Sequence, residues 1–223
     1  MFKVEGIDDE GAEMESKKVS NNMLTRMPAY LNYLKSLPQS TKNISATKIA
    51  NALALGEVLV RKDLAKISDG GRCKLGYVCE ELIQDIEKFL DVKSLIDAII
   101  VGKGELVQIL LNYNGLTDSG VNVLAGFDMD CSKKRRSEEK NIYPIDKIQS
   151  FCAEHRIEMG ILMVPAEYAQ EACEQLVLAG VKAIWNFTPV YLNVPKEVVV
   201  QNENIITSII KLRMQLKERN EIS

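Results

Sequence analysis

The hydrophobic positions in the N-terminal part of the chain follow a helical pattern. Apolar side chains recur three and four positions apart in residues 22–37, and Pro38 ends the helix that this spacing predicts, because proline has no backbone N–H to donate. Ser45 is a favourable N-cap for a second helix, residues 46–53. Residues 78–90 predict a further amphipathic helix.

A basic helix and a glycine-rich stretch lie between the last two of these helices. Gly56 allows a tight turn, and residues 57–67 then predict a helix whose polar positions are Arg61, Lys62 and Lys66. Residues 68–77 are rich in glycine and in basic side chains, and they predict a β-hairpin. A helix, a turn and a basic helix form the helix-turn-helix arrangement, which a following hairpin would extend to a winged helix.

From residue 97 onward, short apolar runs alternate with helical segments. Helices are predicted from Glu105 to Leu111 and over residues 167–179. The apolar runs predict strands at residues 97–101, 120–128, 159–165 and 181–187. This alternation is typical of βαβ units, in which helices cover both faces of a parallel sheet.

The last predicted helix, residues 202–218, carries apolar side chains around more of its circumference than one stripe requires. Such a terminal helix must bury most of its surface, which favours an oligomer contact over a role confined to the core of one subunit. We therefore predict an α/β protein in four parts. These are an acidic extension, a winged-helix domain, a Rossmann-type parallel-sheet domain and a C-terminal dimerisation helix, at residues 1–20, 21–92, 93–200 and 201–223.

The composition is that of an ordinary globular protein. The chain has 223 residues, 46% hydrophobic and 26% charged, and no apolar run reaches the roughly 18 residues of a membrane span. The acidic start lacks the apolar region of a signal peptide, so the sequence predicts a cytoplasmic protein with no membrane partner. The five cysteines are scattered and His155 is the only histidine, so neither a zinc site nor a disulfide framework is expected.

Charge is unevenly distributed along the chain. The net charge is −3, yet residues 42–74 carry seven basic and three acidic side chains. DNA binding requires Lys and Arg only where the duplex lies, so this segment favours a local DNA-binding surface. A solvated helix face would show the same charge and is the alternative that the sequence leaves open.

A nucleotide-binding pattern follows the first strand of the second half. Gly102-Lys103-Gly104 lies between an apolar strand and a helix, where glycines let the backbone approach a pyrophosphate at the helix N-terminus. Asp128 ends the next strand, 24 positions after Gly104, where an acid can accept hydrogen bonds from a ribose diol. Lys103 would either attract the pyrophosphate or point to solvent.

Two features leave the ligand open. Val107 stands at the third glycine position of the GxGxxG pattern, and we expect it to push the helix away from the strand. A Rossmann-type domain that binds a dinucleotide poorly is therefore an alternative. The basic run 132–136 could meet a 2′-phosphate or an adenine ring, or form a solvated loop, so NADP and ATP stay open beside NAD.

The sequence offers no set of catalytic residues. It contains no Ser–His–Asp or Cys–His arrangement around its one histidine, and too few residues remain for a substrate domain with its own acid and base. We expect a binding module with no catalytic residue and no metal.

Co-linear segments from Arg26 to the C-terminal region resemble the redox-sensing repressor family called Rex. In the N-terminal half, the matching segments are Arg26-Met27-Pro28, Val60-Arg61-Lys62-Asp63-Leu64 and Lys74-Leu75-Gly76-Tyr77-Val78. In the second half, they are Asn112-Tyr113, Phe127-Asp128-Met129-Asp130, Val164-Pro165-Ala166, Ala179-Gly180-Val181 and Asn186-Phe187-Thr188-Pro189-Val190.

The resemblance implies a homodimeric repressor that binds double-stranded operator DNA and leaves it when NADH rises relative to NAD. NADH would shift the population between two dimer states, and the C-terminal helix would reach the partner subunit. The DNA contacts expected are Ser45, Arg61, Lys62, Lys66, Arg72 and Lys74. The nucleotide contacts expected are Gly102, Lys103, Gly104, Glu105, Leu106, Asp128, Pro165, Ala166, Phe187, Thr188 and Pro189.

Several residues depart from the family pattern. Val107 and Lys103 lie in the nucleotide loop, and Thr188 replaces an alanine near the nicotinamide pocket. A paralogue that binds DNA without sensing NADH, or that senses another nucleotide, is therefore an alternative function. A dinucleotide-dependent oxidoreductase is an alternative from another class.

A further departure lies where the resemblance implies that nucleotide and DNA binding are coupled. Asn204 replaces the family's aspartate, which interacts with the arginine and tyrosine that match Arg26 and Tyr113. An amide can form hydrogen bonds but cannot form this ion pair. Arg26, Tyr113 and Asn204 are thus the candidate coupling residues.

Overall fold

The computed structural model describes residues 21–72, 75–129 and 141–222. The chain divides into two compact units at the junction between Leu90 and Asp91. The acidic extension predicted for residues 1–20 lies outside the described residues.

The described part of the N-terminal unit consists of four helices and a two-stranded antiparallel sheet. The helices are α1 (Asn21–Ser36), α2 (Ala46–Ala52), α3 (Glu57–Leu64) and α4 (Cys79–Leu90), and the strands are β1 (Asn43–Ile44) and β2 (Tyr77–Val78). All four helices contribute fully buried side chains to one core, among them Tyr30, Ile49, Leu64 and Ile86.

The start of α2 agrees with the sequence prediction and the end of α3 does not. The Ser45 hydroxyl accepts a hydrogen bond from the backbone N–H of Lys48 at 3.1 Å, which confirms the predicted N-cap. α3 ends at Leu64, and the chain to Ile67 continues in tighter turns, since the N–H of Lys66 bonds to the carbonyl of Asp63.

Of the hairpin predicted for residues 68–77, the residues that the structure describes show one isolated antiparallel bridge, between Arg72 and Gly76. β2 pairs with β1 instead, in a register that joins Ile44 to Tyr77. Both of these side chains are buried, so this pairing closes the core of the unit, which a hairpin extending away from it would not do.

The described part of the C-terminal unit contains a six-stranded parallel sheet. Its strands are β3 (Ile96–Gly102), β4 (Val121–Asp128), β5 (Ile142–Pro144), β6 (Met159–Met163), β7 (Ala183–Asn186) and β8 (Val199–Asn202), in the spatial order β5-β4-β3-β6-β7-β8. This is the Rossmann strand order, in which the direction of winding reverses between the first and fourth strands, here β3 and β6. In such sheets ligands bind beyond the carboxyl ends of the strands at this reversal.

Helices connect β3 to β4, β5 to β6 and β6 to β7, whereas the chain between β7 and β8 contains no helix. The connecting helices are α5 (Glu105–Leu111), α6 (Asn114–Asp118), α7 (Ile148–Glu154) and α8 (Ala169–Leu178). The four predicted strands are confirmed to within two residues at each end. The short elements β5, β8, α6 and α7 were not predicted, because runs of three to seven residues carry too little periodicity to be recognised.

The C-terminal helix begins later than the sequence predicts. Asn202 belongs to β8, which pairs with β7, and the helix α9 (Ile205–Ile222) follows. The Asn204 side chain caps α9 by accepting a hydrogen bond from the Thr207 N–H at 2.9 Å. The apolar side chains of α9 remain more than half exposed in the single chain, namely those of Ile205, Ile206, Ile209, Ile210, Leu212, Met214 and Leu216.

Among the residues that the structure describes, no helix has the length and apolar character needed to cross a membrane.

Candidate functional site

A cavity of about 260 Å³ lies at the carboxyl ends of β3, β4 and β6, next to the reversal of the sheet. It is lined by Gly102, Lys103, Asp128, Met129, Val164, Pro165, Tyr168 and Glu171, and we call it the nucleotide cavity. Four of these residues, Gly102, Lys103, Asp128 and Pro165, are among the predicted nucleotide contacts. The parallel register brings them together although 63 positions separate Gly102 from Pro165 in the sequence.

Close backbone packing explains why residue 102 is a glycine. A Cβ atom at this position would lie 2.4 Å from the carbonyl oxygen of Met163 on β6, far inside van der Waals contact. Gly104 precedes α5 with φ +99°, and an added Cβ there would meet no atom within 4 Å. The loop is therefore packed tightly against the sheet at Gly102 and open at Gly104, as a pyrophosphate cradle requires.

Val107 is accommodated in the core of the unit. It is buried against Ile100 and Ile161, and it lies beside Gly126 of β4. A Cβ atom at Gly126 would lie 3.6 Å from Cγ1 of Val107 and 3.4 Å from Cδ1 of Leu111. These are ordinary van der Waals distances, so Gly126 is not what makes room for Val107, whose burial in the core our sequence argument did not foresee.

Other predicted nucleotide contacts lie beside the cavity rather than in its lining. Glu105 and Leu106 are exposed residues of α5, and Ala166 begins a short 3₁₀ turn before α8. The sequence reasoning in turn missed four lining residues, namely Met129, Val164, Tyr168 and Glu171. The sequence carries only a weak signal for Tyr168 and Glu171, because their place in the lining depends on where α8 begins and not on a recognisable motif.

Thr188 takes part in a buried polar network at the end of β7. Its hydroxyl donates to Oδ1 of Asn186 at 2.7 Å, and its backbone N–H donates to the same oxygen at 2.9 Å. The Asn186 amide donates in turn to Oδ1 of Asn202 at 2.8 Å and to the Val190 carbonyl at 2.9 Å. This network fixes the loop that holds Phe187 and Pro189, and it ties that loop to β8.

A second cavity, of about 450 Å³, lies on the N-terminal unit. It is lined by Ser45, Ala46, Thr47, Arg61, Gly71, Arg72, Gly76 and Tyr77, so it brings three predicted DNA contacts together. Lys62 is exposed on α3, and Lys66 is exposed in the turn that follows this helix, where it lines a different groove with acidic residues such as Asp69 and Glu81. Lys74 and the basic run 132–136 lie outside the described residues.

Among the described residues, two ion pairs involve α3. Arg61 pairs with Glu57 one turn earlier on the exposed side of the helix. On the buried side, Nε and Nη2 of Arg26 donate to the two carboxylate oxygens of Asp63 at 2.7 and 2.9 Å. The Tyr30 hydroxyl donates to the same carboxylate at 3.0 Å.

This cluster raises the pKa of its tyrosine and of its arginine. Burial, reinforced by the hydrogen bond to Asp63, raises the pKa of Tyr30 to about 12. The hydrogen bonds from Arg26 to Asp63 raise the pKa of the guanidinium above its usual value. Arg26 therefore has a charged partner within its own unit, which the sequence reasoning did not identify. Of the other candidate coupling residues, Tyr113 is 57% exposed and Asn204 caps α9.

The described cysteines do not form a reactive site. Burial raises the pKa of the thiols of Cys79, Cys152 and Cys173, which keeps them protonated and poorly nucleophilic. Within the described ranges, no three His, Cys, Asp or Glu side chains form a group that could hold a metal ion.

These features define a class of protein: an N-terminal helix-turn-helix unit followed by a Rossmann-type sheet with a cavity at its reversal point. Two family models match the corresponding segments. Residues 18–65 match the family described as "Putative DNA-binding protein N-terminus", and residues 93–190 match "CoA binding domain".

Full-length relatives identify the family. The redox-sensing transcriptional repressor Rex of Treponema denticola is 36% identical over 196 residues, which are 87% of this chain and 93% of that protein. The repressor of the same name from Carboxydothermus hydrogenoformans is 32% identical over 206 residues, 92% of this chain and 99% of its own. The chain belongs to the Rex family of redox-sensing transcriptional repressors.

Solved structures agree with this assignment. RSP in complex with β-NAD⁺ and operator DNA has a TM-score of 0.82 at 30% identity, covering 92% of this chain and 95% of RSP. RSP in complex with β-NADH has a TM-score of 0.79 over 92% of this chain and 97% of RSP. RSP is described as a Rex-family repressor.

Proposed function

We propose that the protein is a homodimeric transcriptional repressor that binds operator DNA through α3 and is released by NADH. Residues 21–92 bind the DNA, residues 93–200 bind the nucleotide, and residues 201–223 contribute the dimer contact. The observation that carries the proposal is the match, over nine-tenths of the chain, to a repressor crystallised with operator DNA and with NADH. The role is one of binding rather than catalysis, and we place it in the cytoplasm, where the operator DNA is.

The nucleotide cavity fits a dinucleotide. Gly102 and Gly104 shape the loop for a pyrophosphate, and Asp128 stands at the end of β4, where it can accept hydrogen bonds from ribose hydroxyls. Glu171 adds a second carboxylate to the lining. Two carboxylates disfavour a 2′-phosphate, so we propose NADH rather than NADPH as the ligand.

The cavity between α2, α3 and the Arg72–Gly76 bridge fits the DNA backbone. Arg61 and Arg72 supply positive charge, and the hydroxyls of Ser45 and Thr47 can donate to phosphate oxygens. Lys62 on α3 and Lys66 in the turn after it add exposed charge, and Lys74 follows Arg72 in the sequence. We propose that these contacts position α3 in the major groove.

The exposed apolar surface of α9 supports the homodimer. Seven large apolar side chains of this helix are between 52% and 67% exposed in the single chain, and a symmetric partner would cover them. The remaining nucleotide contacts, Glu105, Leu106, Ala166, Phe187, Thr188 and Pro189, would bind the parts of the dinucleotide that extend beyond the cavity.

A second candidate function is a repressor that has lost its response to NADH. It is favoured by Asn204, which caps α9 and cannot supply a negative charge to Arg26, and by the ion pair that Arg26 already forms with Asp63. The two candidates share the DNA-binding half and differ only in whether nucleotide binding alters operator affinity.

The test is operator binding measured by fluorescence anisotropy while NADH is titrated, with NADPH and ATP in parallel. We expect NADH to lower the operator affinity, whereas Asp128→Ala should keep DNA binding and lose the response. Glu158→Ala removes an exposed carboxylate at the amino end of β6, at the end of the strand opposite the nucleotide cavity. It is the matched control and should respond normally to NADH. Operator binding that stays constant over the full range of NADH would establish the second candidate.

A further inference from the structure

The outward side of α3 carries apolar surface that its unit does not cover. The helix buries Val60, Asp63 and Leu64, so the residues on the opposite side are Val58, Lys62 and Ala65, spaced four and three positions apart. The Val58 side chain is 66% exposed. We call Val58, Lys62 and Ala65 the outward line of α3.

This position is unusual for a β-branched apolar residue. Valine has a lower helix propensity than alanine, and an exposed valine contributes no packing within the unit. On a helix that enters the major groove, however, the outward side meets the base edges. There the thymine C5-methyl group is the apolar partner that side chains such as alanine contact.

We propose that Val58 recognises the methyl group of a thymine in each operator half-site. The inference rests on the proposed function, since it requires α3 to lie in the major groove. Arg61 follows Val58 by three positions, which places their Cβ atoms about 5–6 Å apart on the helix surface. Stacked bases are about 3.4 Å apart along each strand, so the thymine lies within about two base pairs of the base that Arg61 contacts.

The experiment removes the methyl group from the DNA and the side chain from the protein. An operator is first selected from a random double-stranded DNA library with the full chain. Each thymine of the selected site is then replaced in turn by deoxyuridine, which lacks only the methyl group, and the dissociation constant is measured for the protein and for Val58→Ala.

For the unmodified protein, we expect one thymine per half-site at which deoxyuridine weakens binding by about fourfold, the effect of exposing one methyl group to water. In Val58→Ala the penalty at this position should fall below twofold, while the other thymines keep their behaviour. Val58→Thr retains one methyl group and should keep part of the penalty. Leu59→Ala, which shortens a 39% exposed neighbour on the same helix, is the matched control and should keep all of it.

The outcomes separate this inference from the proposed function. Tight operator binding that is equally sensitive to deoxyuridine in the protein and in Val58→Ala would overturn the inference and leave the repressor intact. An altered sedimentation coefficient of Val58→Ala with an unchanged deoxyuridine pattern would assign Val58 to a protein contact and overturn it as well. Failure to select any DNA sequence would overturn the proposed function together with the inference.

Discussion

Asp63 lies on the buried side of α3, where Arg26 and Tyr30 of α1 satisfy its carboxylate with three hydrogen bonds. Removing either charged partner of such a pair leaves an uncompensated buried charge, which costs about 3–5 kcal/mol. The cluster therefore holds α3 against α1. Sequence reasoning could have found it, because Asp63 falls at a core position of the α3 periodicity, and a buried acid requires a partner.

The raised pKa of Tyr30 makes the stability of this cluster depend on pH. Between pH 10 and 12 the unfolded chain has lost the phenolic proton, whereas the folded protein, with a pKa of about 12, still holds it. The free energy of unfolding therefore receives a contribution from Tyr30 that is complete below pH 10 and is lost as the pH rises to 12.

We expect Tyr30→Phe to remove this part of the alkaline decline and to cost about 1 kcal/mol at pH 8 through the lost hydrogen bond. Urea unfolding at pH 8, 10 and 11.5 measures both effects. Tyr33→Phe, on the same helix, controls for the loss of a hydroxyl group. A parallel decline in all three proteins would show that Tyr30 does not control this pH dependence.

Val107 is an almost fully buried residue of α5 that lies beside Gly126 of β4. We expect Val107→Gly, which restores the GxGxxG pattern, to lower the free energy of unfolding by about 2–4 kcal/mol, since it opens a cavity and places glycine inside a helix. It should not tighten NADH binding. Calorimetric titration checks the affinity, and a marked gain in affinity would show that Val107 does weaken the nucleotide site.

At the scale of elements, the sequence predicts structure best where a hydrophobic pattern extends over many residues or where a chemical motif lies within a few consecutive residues. The strands β3, β4, β6 and β7 are apolar runs bounded by glycine or polar residues, and the loop at Gly102 follows directly from its sequence. β8 was not predicted, and its last residue, Asn202, was assigned to the C-terminal helix, because the four residues of this strand gain their structure from pairing with β7, which local sequence does not encode. Tyr168 and Glu171 were missed for the same reason, since their place in the cavity is set by tertiary structure.

For α9, the sequence predicts an oligomer contact from the apolar side chains, but it places the start of the helix at residue 202 instead of Ile205. Because its apolar side chains are exposed in the single chain, we expect Ile209→Glu to convert the proposed dimer into a monomer. Gln215→Glu adds the same charge at a polar position of the helix and should remain dimeric. Sedimentation velocity at micromolar concentration distinguishes the two, and a dimeric Ile209→Glu would place the interface elsewhere.

At the scale of the whole molecule, an acidic chain binds an acidic polymer. The net charge of −3 opposes association with DNA at long range, so binding depends on the local concentration of basic side chains on the N-terminal unit. Such binding releases counterions from the duplex, and it weakens as salt is added.

Arg72→Ala tests this electrostatic contact and the dimer together. Each phosphate contact contributes about 0.9 to the slope of log affinity against log salt concentration, so losing Arg72 from both protomers should reduce the slope by about 1.8. Arg156→Ala removes the same charge from an exposed position at the amino ends of the strands and should leave the slope unchanged.

For Arg72→Ala, a reduction near 0.9 would mean that only one protomer contacts the DNA through Arg72, and no reduction would place the duplex on another face. Combining Arg72→Ala with Ile209→Glu repeats the measurement in a monomer. A monomer has one Arg72 to lose, so Arg72→Ala should reduce its salt slope by about 0.9, which is half of the change expected for the dimer.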